Sequence, residues 1–424
     1  MMKNIRGRGK GAQLRAPTIT LFQWWLAVLA VVMVLGAGAG LVVFAKGLVV
    51  TNLTDLVPWG LWITLDLSSI AMSAGAFLLC AAVYLLGLKE FQPVARTATF
   101  VGLIGYSMAM LCLLLDIGRP DRFWHAWVFW NPHSVLWEVT MCITLYFTVL
   151  VLETAPIVGQ AGWMQRRWPR LAQTLVSVHH YAPVFAVIGL GLSLLHQSSL
   201  GATYGVLKAR PIWSRPDLSV LFIASAMAGG PSLVVFVSML TARLTRQAHI
   251  KDELLEKLSL FIGWVLVGYL YFRFWDAFSM TYTYLPGRTE GLTLLTSGEL
   301  AFNFWVGEIL LGAAIPIILL LTARLRRIPL LRMIALALVV GGVVAYRWDT
   351  NLVGQLVMLT YLPQEIAARY TDYVPSLIEF LSGAGIVAYG LLAFTLGARY
   401  LNIVDHRAVP EAEHEARLAA AAGD

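Results

Sequence analysis

Residues 21–45 read LFQWWLAVLAVVMVLGAGAGLVVFA and carry no charged side chain. A helix crosses the hydrocarbon core of a bilayer with about 20 apolar residues, so this run is long enough to span a membrane. Only a helix satisfies its own backbone hydrogen bonds at this length in lipid. Because no small-residue cleavage site follows before Lys46, we expect an uncleaved transmembrane helix rather than a signal peptide.

The same pattern recurs along the chain. Hydrophobic residues make up 58% of the 424 residues and charged residues only 13%, whereas soluble proteins have about 25% charged residues. Further apolar runs, which predict helices 2 to 10, lie at 58–87, 95–116, 134–157, 172–196, 218–242, 258–283, 300–322, 331–348 and 376–400. We therefore predict an all-α polytopic membrane protein of about ten transmembrane helices and exclude a soluble domain.

The basic residues predict how the chain is oriented. With helix 1 starting inside, 21 of the 31 Lys and Arg residues fall on the side of the N-terminus and 8 on the other side. Since cytoplasmic loops are enriched in Lys and Arg, we predict cytoplasmic termini in a bacterial inner (cytoplasmic) membrane. The net charge of +7 then reflects topology, and the expected partners are lipid and protein rather than nucleic acid.

The predicted organisation has three parts. It consists of a basic cytoplasmic tail (1–20), a ten-helix membrane domain (21–400) and a mobile cytoplasmic tail (401–424). Within the membrane domain we expect helices 2–5 (about 58–199) and helices 6–9 (about 218–348) to form two bundles.

The spacing of cysteines and histidines argues against a metal centre. Cys80, Cys112 and Cys142 are isolated within predicted helices, so we expect neither a metal site nor an iron–sulfur cluster in this chain. All histidines in predicted helices lie on helix 5, between 179 and 196. No second helix supplies a histidine for a bis-histidine haem, so we expect no haem. A haem ligated by a methionine or by a loop histidine is the alternative that the sequence leaves open.

Predicted helix 2 carries a polar stripe near its outer end. Trp59, Trp62 and Asp66 follow helical spacing with Ser69 and Ser73, so we expect all five on one face. An ionisable residue in a spanning helix is costly and indicates function. An aromatic-walled stripe suits an aromatic headgroup; the alternative is an interfacial tryptophan belt with one interhelical hydrogen bond.

Three more predicted helices carry polar groups at the same depth. His196 and Gln197, followed by Ser198, lie near the outer end of helix 5. Helix 4 carries Glu138 one turn from the outer surface, and helix 3 ends at Asp116. If helices 2–5 form one bundle, these groups converge in the outer third of the membrane, where they suit redox chemistry coupled to proton transfer.

A second group of ionisable residues lies on later helices. Arg273 and Asp276 are three residues apart on helix 7, and Glu308, Arg347 and Glu379 lie on helices 8, 9 and 10. This group predicts either a proton route or an ion-pair network that fixes helix packing. The sequence leaves both open.

The outer loop 117–133, IGRPDRFWHAWVFWNPH, is rich in tryptophan and turn residues. Its tryptophans could lie on the membrane surface or support a periplasmic partner. Both interpretations remain open from the sequence.

Several segments together carry a family resemblance. They are PWGLWITLD at 58–66, GYSMAMLCLLLDIGR at 105–119, HSVLWEVTMCITLY at 133–146, LHQSSLG at 195–201 and FRFWD at 272–276. Through them the chain resembles the NrfD/PsrC-type quinone-interacting membrane subunits, and most closely the HybB branch, the membrane subunit of a periplasm-facing nickel–iron hydrogenase. The likeness runs in order from helix 2 to helix 10.

The resemblance implies ten helices, no haem, and a menaquinone or ubiquinone site near the periplasmic side of helices 2–5. It also implies a periplasmic four-cluster iron–sulfur subunit and, through it, a catalytic subunit. The positions that look shared with this branch are Asp66, Asp116, Glu138, His196, Gln197, Arg273, Glu308 and Arg347. Asp276 departs from the branch, where Glu is expected, but the charge type is kept. The tryptophan-rich outer loop also departs, which leaves the identity of the partner open.

We therefore expect a quinone-reactive membrane subunit of a hydrogenase-like or sulfur-compound respiratory complex. The expected catalytic residues are Asp66, Asp116, Glu138 and His196. The expected quinone contacts are Trp59, Trp62, Asp66, His196, Gln197 and Ser198. The expected proton relay is Glu138, Arg273, Asp276, Glu308 and Arg347. The alternatives are a secondary transporter with a midplane substrate site and a purely structural membrane anchor.

Overall fold

The computed structural model describes residues 20–85, 87–245, 250–282, 284–361, 363, 366–401 and 403–404. Within these residues, ten helices are long and apolar enough to cross a membrane, which confirms the predicted fold class. They are α1 (Leu21–Lys46), α2 (Leu61–Tyr84), α3 (Gln92–Asp116), α4 (Val135–Gly159), α5 (Ala182–Gly205), α6 (Asp217–Thr245), α7 (Asp252–Thr281), α8 (Asn303–Leu321), α9 (Pro329–Leu356) and α10 (Leu377–Tyr400). Shorter helical segments are His125–Val128, Gly162–Arg167, Pro169–Ser177, a 3₁₀ turn at Val178–Tyr181, and Arg288–Ser297. Apart from residues 20, 401, 403 and 404, both predicted tails lie outside the described residues.

Consecutive spans run in opposite directions. We call the face where α1 begins the proximal face and the face where α1 ends the distal face. Asn52, just after α1, donates its backbone N–H to the Glu379 carboxylate at the start of α10, at 3.0 Å. Thr97, near the start of α3, donates to the carbonyl of Ile403 at 2.9 Å. Both ends of the described chain thus lie at the proximal face, whose cytoplasmic assignment stays a prediction.

Helix α2 lies at the centre of the fold. Of its apolar stretch 89% is buried, against 28% for α1, and it contacts α3 and α5 as well as α6 and α9. Its closest neighbour is α6, because a Cβ atom at Gly75 would lie 1.8 Å from the Ala226 carbonyl oxygen and one at Gly230 would lie 2.1 Å from the Ala76 nitrogen. Small residues allow such close approach between helices in lipid. Helix α2 therefore joins α3–α5 to α6–α9.

The position of α5 differs from the prediction. The predicted helix 5 covers 172–196, whereas the structure has α5 at Ala182–Gly205. Serine and threonine lower the hydropathy of its last two turns, yet the Thr203 hydroxyl is satisfied within the helix by the Ser199 carbonyl at 2.9 Å. His196 therefore lies about 14 Å from the distal end of α5, at about 1.5 Å per residue, and is deeper than predicted.

Helix α9 continues two turns past its predicted end at 348 and reaches Leu356. A β-hairpin follows at the distal face and was not predicted. Its strands, β1 (Val357–Tyr361) and β2 (Ile366–Tyr370), pair antiparallel with Val357 opposite Tyr370. The polar residues in these two turns interrupt the apolar run, but they bond to neighbouring segments instead of ending the helix.

Helix α8 opens with a π-helical segment, Asn303–Ala314, before continuing as an α-helix over Ile315–Leu321. π-Helical turns are rare and are frequent at functional sites. A Cβ atom at Gly312 would lie 2.5 Å from the Cα of Gly342, so α8 and α9 touch through their backbones. The same segment carries the buried Glu308.

The contact between α2 and α6 makes a prediction about stability. Gly230→Ala should destabilise the fold by about 1–3 kcal/mol, because the added methyl group overpacks a backbone contact. Gly268→Ala on α7 is the matched control, since a Cβ atom there meets nothing within 4 Å. Thermal unfolding of the detergent-solubilised variants measures the difference; equal midpoints for the two would contradict the packing described here.

Candidate functional site

A layer of aromatic and amide side chains closes the distal end of the helices. The ring of Trp59 stacks on Trp213 with 5.9 Å between centroids and meets Tyr204 edge-on at 5.4 Å. Asn351 donates to the Trp59 carbonyl at 2.9 Å, and Gln355 accepts from the Trp59 N–H at 3.0 Å. We call Trp59, Trp213, Tyr204, Asn351 and Gln355 the distal seal. Of these five residues, only Trp59 was selected from the sequence.

Trp62 does not share a helix face with Trp59, so that prediction is wrong. Trp59 precedes the first residue of α2, and Trp62 is 1% exposed against α10. Its indole N–H donates to the Ser382 hydroxyl at 2.9 Å and lies 3.2 Å from the Glu379 carbonyl. Trp62 therefore fixes α10 to α2 and does not line the same space as Trp59.

Glu379 caps the start of α10. Its carboxylate accepts hydrogen bonds from the Tyr373 hydroxyl (2.5 Å), the Asn52 N–H (3.0 Å) and the Ser376 N–H (2.9 Å). Burial and the hydrogen bond to this carboxylate raise the pKa of the Tyr373 phenol above its usual range. These bonds favour a structural role for Glu379.

Two carboxylates near the distal ends of α2 and α3 have unpaired oxygens. Asp66 is 3% exposed. One buried oxygen of Asp66 and one of Asp116 have no hydrogen-bond partner among the described residues. Asp116 and Arg347 are the charged groups that act on Asp66. Because buried polar atoms are nearly always hydrogen-bonded, these oxygens are candidates to accept a hydrogen bond from water or a polar ligand.

His196 is held by a tyrosine on the facing helix α3. The hydroxyl of Tyr106 lies 2.5 Å from Nδ1 of His196, and both side chains are fully buried. Tyr146 on α4 meets the Tyr106 ring edge-on at 4.6 Å. In the described part of the chain, His196 Nε2 and the Tyr146 hydroxyl lack hydrogen-bond partners. The structure thus brings a histidine and two tyrosines together, and sequence reasoning missed both tyrosines.

Gln197 connects α5 to α9. Its side-chain oxygen accepts from Arg347 at 3.1 Å, and the same guanidinium donates to the Phe222 carbonyl and the Ser225 hydroxyl, both at 3.0 Å. The guanidinium lies over the Phe222 ring, 3.7 Å from its centroid. The amide nitrogen of Gln197 has no hydrogen-bond partner among residues that the structure describes. A fixed cation therefore lies next to a free amide donor.

Glu138 is half-buried and faces α5. Its carboxylate accepts from the Ser199 hydroxyl at 2.9 Å and lies 3.2 Å from the Cys142 thiol. Ser198, which was expected to contact a quinone, is half-buried and donates to the Leu195 carbonyl of its own helix at 2.8 Å. The structure therefore places Ser199, and not Ser198, next to the Glu138 carboxylate.

The later ionisable residues form a paired network. Arg273 donates to Asp276 and to Glu308, each at 2.7 Å, so the ionisable residues of α7 and α8 meet. Arg215, which sequence reasoning did not select, also pairs with Asp276 at 2.5 Å, and the Tyr269 hydroxyl donates to Glu308 at 2.6 Å. This pairing forms an ion-pair network that fixes helix packing, in which Nη1 of Arg215 has no hydrogen-bond partner among the described residues.

Tyr346 connects this network to Arg347. Its ring lies 5.5 Å from the Arg273 guanidinium and 5.4 Å from that of Arg347. A cavity of about 10 Å³ is lined by Tyr269 and Glu308 of the paired network and by Ser225, which bonds to Arg347. A volume of about 10–15 Å³ holds one water molecule. The cavity is thus large enough for one water molecule, which would bridge the hydroxyl of Ser225 and the carboxylate of Glu308.

A larger groove lies between α8 and α9. It has a volume of about 450 Å³, within the range of about 300–1,000 Å³ typical of ligand pockets. Its walls carry Asn303, Trp348 and small residues such as Gly307 and Gly341. Neither this groove nor the smaller cavity is lined by the acidic groups and His196 of α2–α5.

The tryptophan-rich outer loop folds back along α4. The Trp127 indole donates to the Thr144 hydroxyl at 3.0 Å, and the Trp137 indole donates to the Ala126 carbonyl at 2.8 Å. Thr144 lies about 13 Å from the distal end of α4, at about 1.5 Å per residue. The loop therefore reaches the depth of the lipid, which favours the membrane-surface interpretation.

The three cysteines are free and buried on separate helices. Within the described ranges, no group of three or more His, Cys, Asp or Glu side chains could hold a metal ion. His179 and His180, expected inside the membrane, lie in the 3₁₀ turn that precedes α5. The expected absence of haem stays a prediction.

The comparison with known proteins covers the helices that carry the candidate site. The sequence profile of the family described as "Polysulphide reductase, NrfD" matches residues 49–358, from before α2 into β1. The chain is 34% identical to the integral membrane subunit of menaquinone reductase from Nitratidesulfovibrio vulgaris, covering 92% of this chain and 94% of that protein.

Two further relatives carry different names. The chain is 28% identical to the probable Ni/Fe-hydrogenase 2 b-type cytochrome subunit of Escherichia coli, over 84% of this chain and 86% of that protein. It is 23% identical to the C subunit of polysulfide reductase from Wolinella succinogenes, over 71% of this chain and 95% of that protein.

The paired network makes a prediction about stability. Arg273→Met should destabilise the fold by about 3–5 kcal/mol, because it leaves the buried Glu308 carboxylate without its cation. Lys257→Met is the control, since it breaks the exposed pair with Glu90, for which about 0–1 kcal/mol is expected. Equilibrium unfolding in mixed detergent micelles measures both. Equal small losses would argue against a structural network.

Proposed function

This chain belongs to the NrfD (polysulphide reductase) family, and on that basis we propose that it is the quinone-reactive membrane subunit of a respiratory oxidoreductase complex. The names of its relatives support this, since they are subunits of menaquinone reductase, a hydrogenase and polysulfide reductase. The chain is a multi-pass inner-membrane protein. We assign the distal face to the periplasm from the predicted bias of Lys and Arg.

One observation supports the proposed quinone site: α2, α3 and α5 each carry buried polar atoms that lack a hydrogen-bond partner. They are oxygens of Asp66 and Asp116 and nitrogens of His196 and Gln197, none with a hydrogen-bond partner in the described chain. A quinone presents two acceptor carbonyls, and its quinol presents two donor hydroxyls. The two nitrogens suit the carbonyls, and the carboxylates suit the hydroxyls. The residues therefore fit either form.

Tyr106 selects the tautomer of His196, that is, the ring nitrogen that carries the proton. If the tyrosine hydroxyl donates to Nδ1, the neutral imidazole carries its proton on Nε2. That proton then faces the unpaired side of the ring and can be donated to a ligand carbonyl. Tyr106 is thus a positioning residue, and His196 Nε2 is the group that would touch the ligand.

The acidic groups supply proton exchange. A bound quinone would supply two-electron chemistry that takes up or releases two protons. Asp66 and Asp116 carry the unpaired oxygens for this exchange. Protons would pass to Glu138 through the Ser199 hydroxyl, which donates a hydrogen bond to its carboxylate.

A side branch from Arg347 to Glu308 completes the proposed relay. The water-sized cavity beside Ser225 would connect the Arg347 guanidinium to the Glu308 carboxylate. Arg273 and Asp276 hold that carboxylate in place. The branch stays within the distal part of the helices.

We propose that electrons are exchanged with another protein, in either direction. The three buried cysteines lie on separate helices, and no metal-binding cluster is found among the described residues. We propose that a periplasmic four-cluster iron–sulfur subunit contacts the distal face and connects the quinone site to a catalytic subunit.

A binding experiment tests the quinone site. His196→Ala should weaken binding of menadione, a short-chain naphthoquinone, by about three- to tenfold, since one hydrogen bond contributes about 0.5–1.5 kcal/mol. His180→Ala is the matched control, because His180 is exposed in the turn before α5. Titration calorimetry of the purified full-length protein measures both.

The groove between α8 and α9 is the competing location. Gly341→Leu would fill it without a backbone clash, because a Cβ atom there meets nothing within 4 Å. We expect this variant to bind menadione as the unmodified protein does. Loss of binding in Gly341→Leu together with normal binding in His196→Ala would move the site to the groove.

Purification under mild conditions tests the partner and the absence of haem. The complex should contain iron and acid-labile sulfide, and its reduced-minus-oxidised spectrum should lack a b-type haem band. Washing away the peripheral subunits should remove the iron while the membrane subunit still binds menadione. A haem that stays with the washed subunit would contradict the proposal.

A further inference from the structure

The groove between α8 and α9 opens toward the lipid. Its wall on α9 extends from Ala337 to Trp348, which is about 17 Å at about 1.5 Å per residue. Ala337 and Gly341 in this wall are exposed on the surface of the helices. Trp348 ends the apolar run of α9, and tryptophan is enriched at membrane–water interfaces. The groove therefore extends from the distal boundary of the hydrocarbon core, which is about 30 Å thick, to about its midplane.

Small residues form the floor of this groove. A Cβ atom at Gly312 would lie 2.5 Å from the Cα of Gly342, and one at Gly307 would lie 3.2 Å from the Cβ of Ala345. A Cβ atom at Gly341, by contrast, would meet nothing within 4 Å. The two helices thus touch through their smallest residues and leave an open groove above Gly341.

Asp349 lies at the distal end of the groove, four residues after Ala345 on α9, and is 1% exposed. One of its carboxylate oxygens accepts from the Asn303 side-chain amide at 2.8 Å. The other is buried without a hydrogen-bond partner in the described part of the chain. Asn303 lines the groove, and its side-chain oxygen would lie 2.9 Å from a Cβ atom at Gly307. Because buried polar atoms are nearly always hydrogen-bonded, this end of the groove requires a donor.

The same end of the groove is acidic. The guanidinium of Arg273 acts on Asp349. It is, however, already bonded to Asp276 and Glu308. A second carboxylate, that of Glu299, is exposed in the segment just before α8. Because complementary charges select binding partners, a matching ligand carries hydrogen-bond donors and a positive charge at this end.

The dimensions of the groove fit one hydrocarbon chain. A volume of about 450 Å³ over a length of about 17 Å gives a mean cross-section of about 27 Å². Carbon atoms in contact lie about 3.5–4.0 Å apart, so a single methylene chain takes up about 15–20 Å². A helix about 10–12 Å across takes up about 80–110 Å². The groove therefore admits one lipid chain and is too narrow for a helix of another subunit.

We propose that this groove is a binding site for a phospholipid with an ethanolamine head group. One acyl chain lies along Gly341 in the groove, and the second chain stays in the surrounding lipid. The ammonium group donates hydrogen bonds to the Asp349 carboxylate and to the side-chain oxygen of Asn303. A choline head group has the same charge but no N–H donor, and an anionic head group is repelled by the acidic end. The site is independent of the proposed quinone site.

Lipid binding to the purified full-length protein tests this site. Bound lipid is first removed in detergent, and native mass spectrometry then follows titration with dioleoyl-phosphatidylethanolamine and, separately, with dioleoyl-phosphatidylcholine. The two lipids share their chains and their net charge, so the difference between them measures the N–H donors. We expect the first ethanolamine lipid to bind about tenfold more tightly than the choline lipid, because hydrogen bonds to charged groups are the stronger ones.

Two variants separate the chain from the head group. Gly341→Leu should abolish tight binding of the ethanolamine lipid, because the added side chain fills the groove. Gly268→Leu on α7 is the matched control, since a Cβ atom there also meets nothing within 4 Å but the residue does not line the groove. Asp349→Asn, which keeps the shape and removes the charge, should lower the affinity for the ethanolamine lipid to that for the choline lipid.

Equal binding of the two lipids by the unmodified protein, or a preference that survives Gly341→Leu, would overturn the site. A dimer that Gly341→Leu dissociates would also overturn it, because the groove would then hold a helix of a second copy. Unfolding midpoints verify that each variant is folded, and Gly341→Leu keeps the test valid if Asp349→Asn is not. Since Gly341→Leu should still bind menadione, failure of the lipid site and failure of the quinone site give different results.

Discussion

A polar side chain inside a bilayer has no water to bind, so its hydrogen bonds must come from the protein or from a ligand. This constraint divides the molecule into two parts. Between α7 and α8 the buried charges satisfy one another, as Arg273 does with Asp276 and Glu308. In α2–α5, by contrast, Asp66 and His196 keep unpaired atoms in the interior. The first arrangement stabilises the fold, and the second leaves chemistry available.

The family match covers both of these parts. The matching profile begins before α2 and ends in β1, so it leaves out α1 and α10. These two helices pack on each other, with Gly36 against Gly385, and contact α3. Trp62 and Glu379 fasten α10 to the distal segments. We interpret α1 and α10 as a pair that supports the functional core from one side.

The ten spans could be predicted from the sequence because length and lack of charge determine them almost alone. The prediction was wrong at the ends of α5 and α9, where polar residues such as Ser199 and Asn351 bond to neighbours that only the folded protein supplies. Ionisable residues such as Asp66 are conspicuous in an apolar run, and they were found. Tyr106 carries no charge and became recognisable only through its contact with His196.

The backbone contact between Gly75 and Gly230 also limits how the molecule can move. Transporters that alternate their access do so by tilting one group of helices against another. Here α2 and α6 touch without side chains between them, so such a tilt would have to break the tightest packing in the fold. Any switching between the two sides of the membrane must then take place within a fixed scaffold, through rotation of individual side chains and exchange of single water molecules.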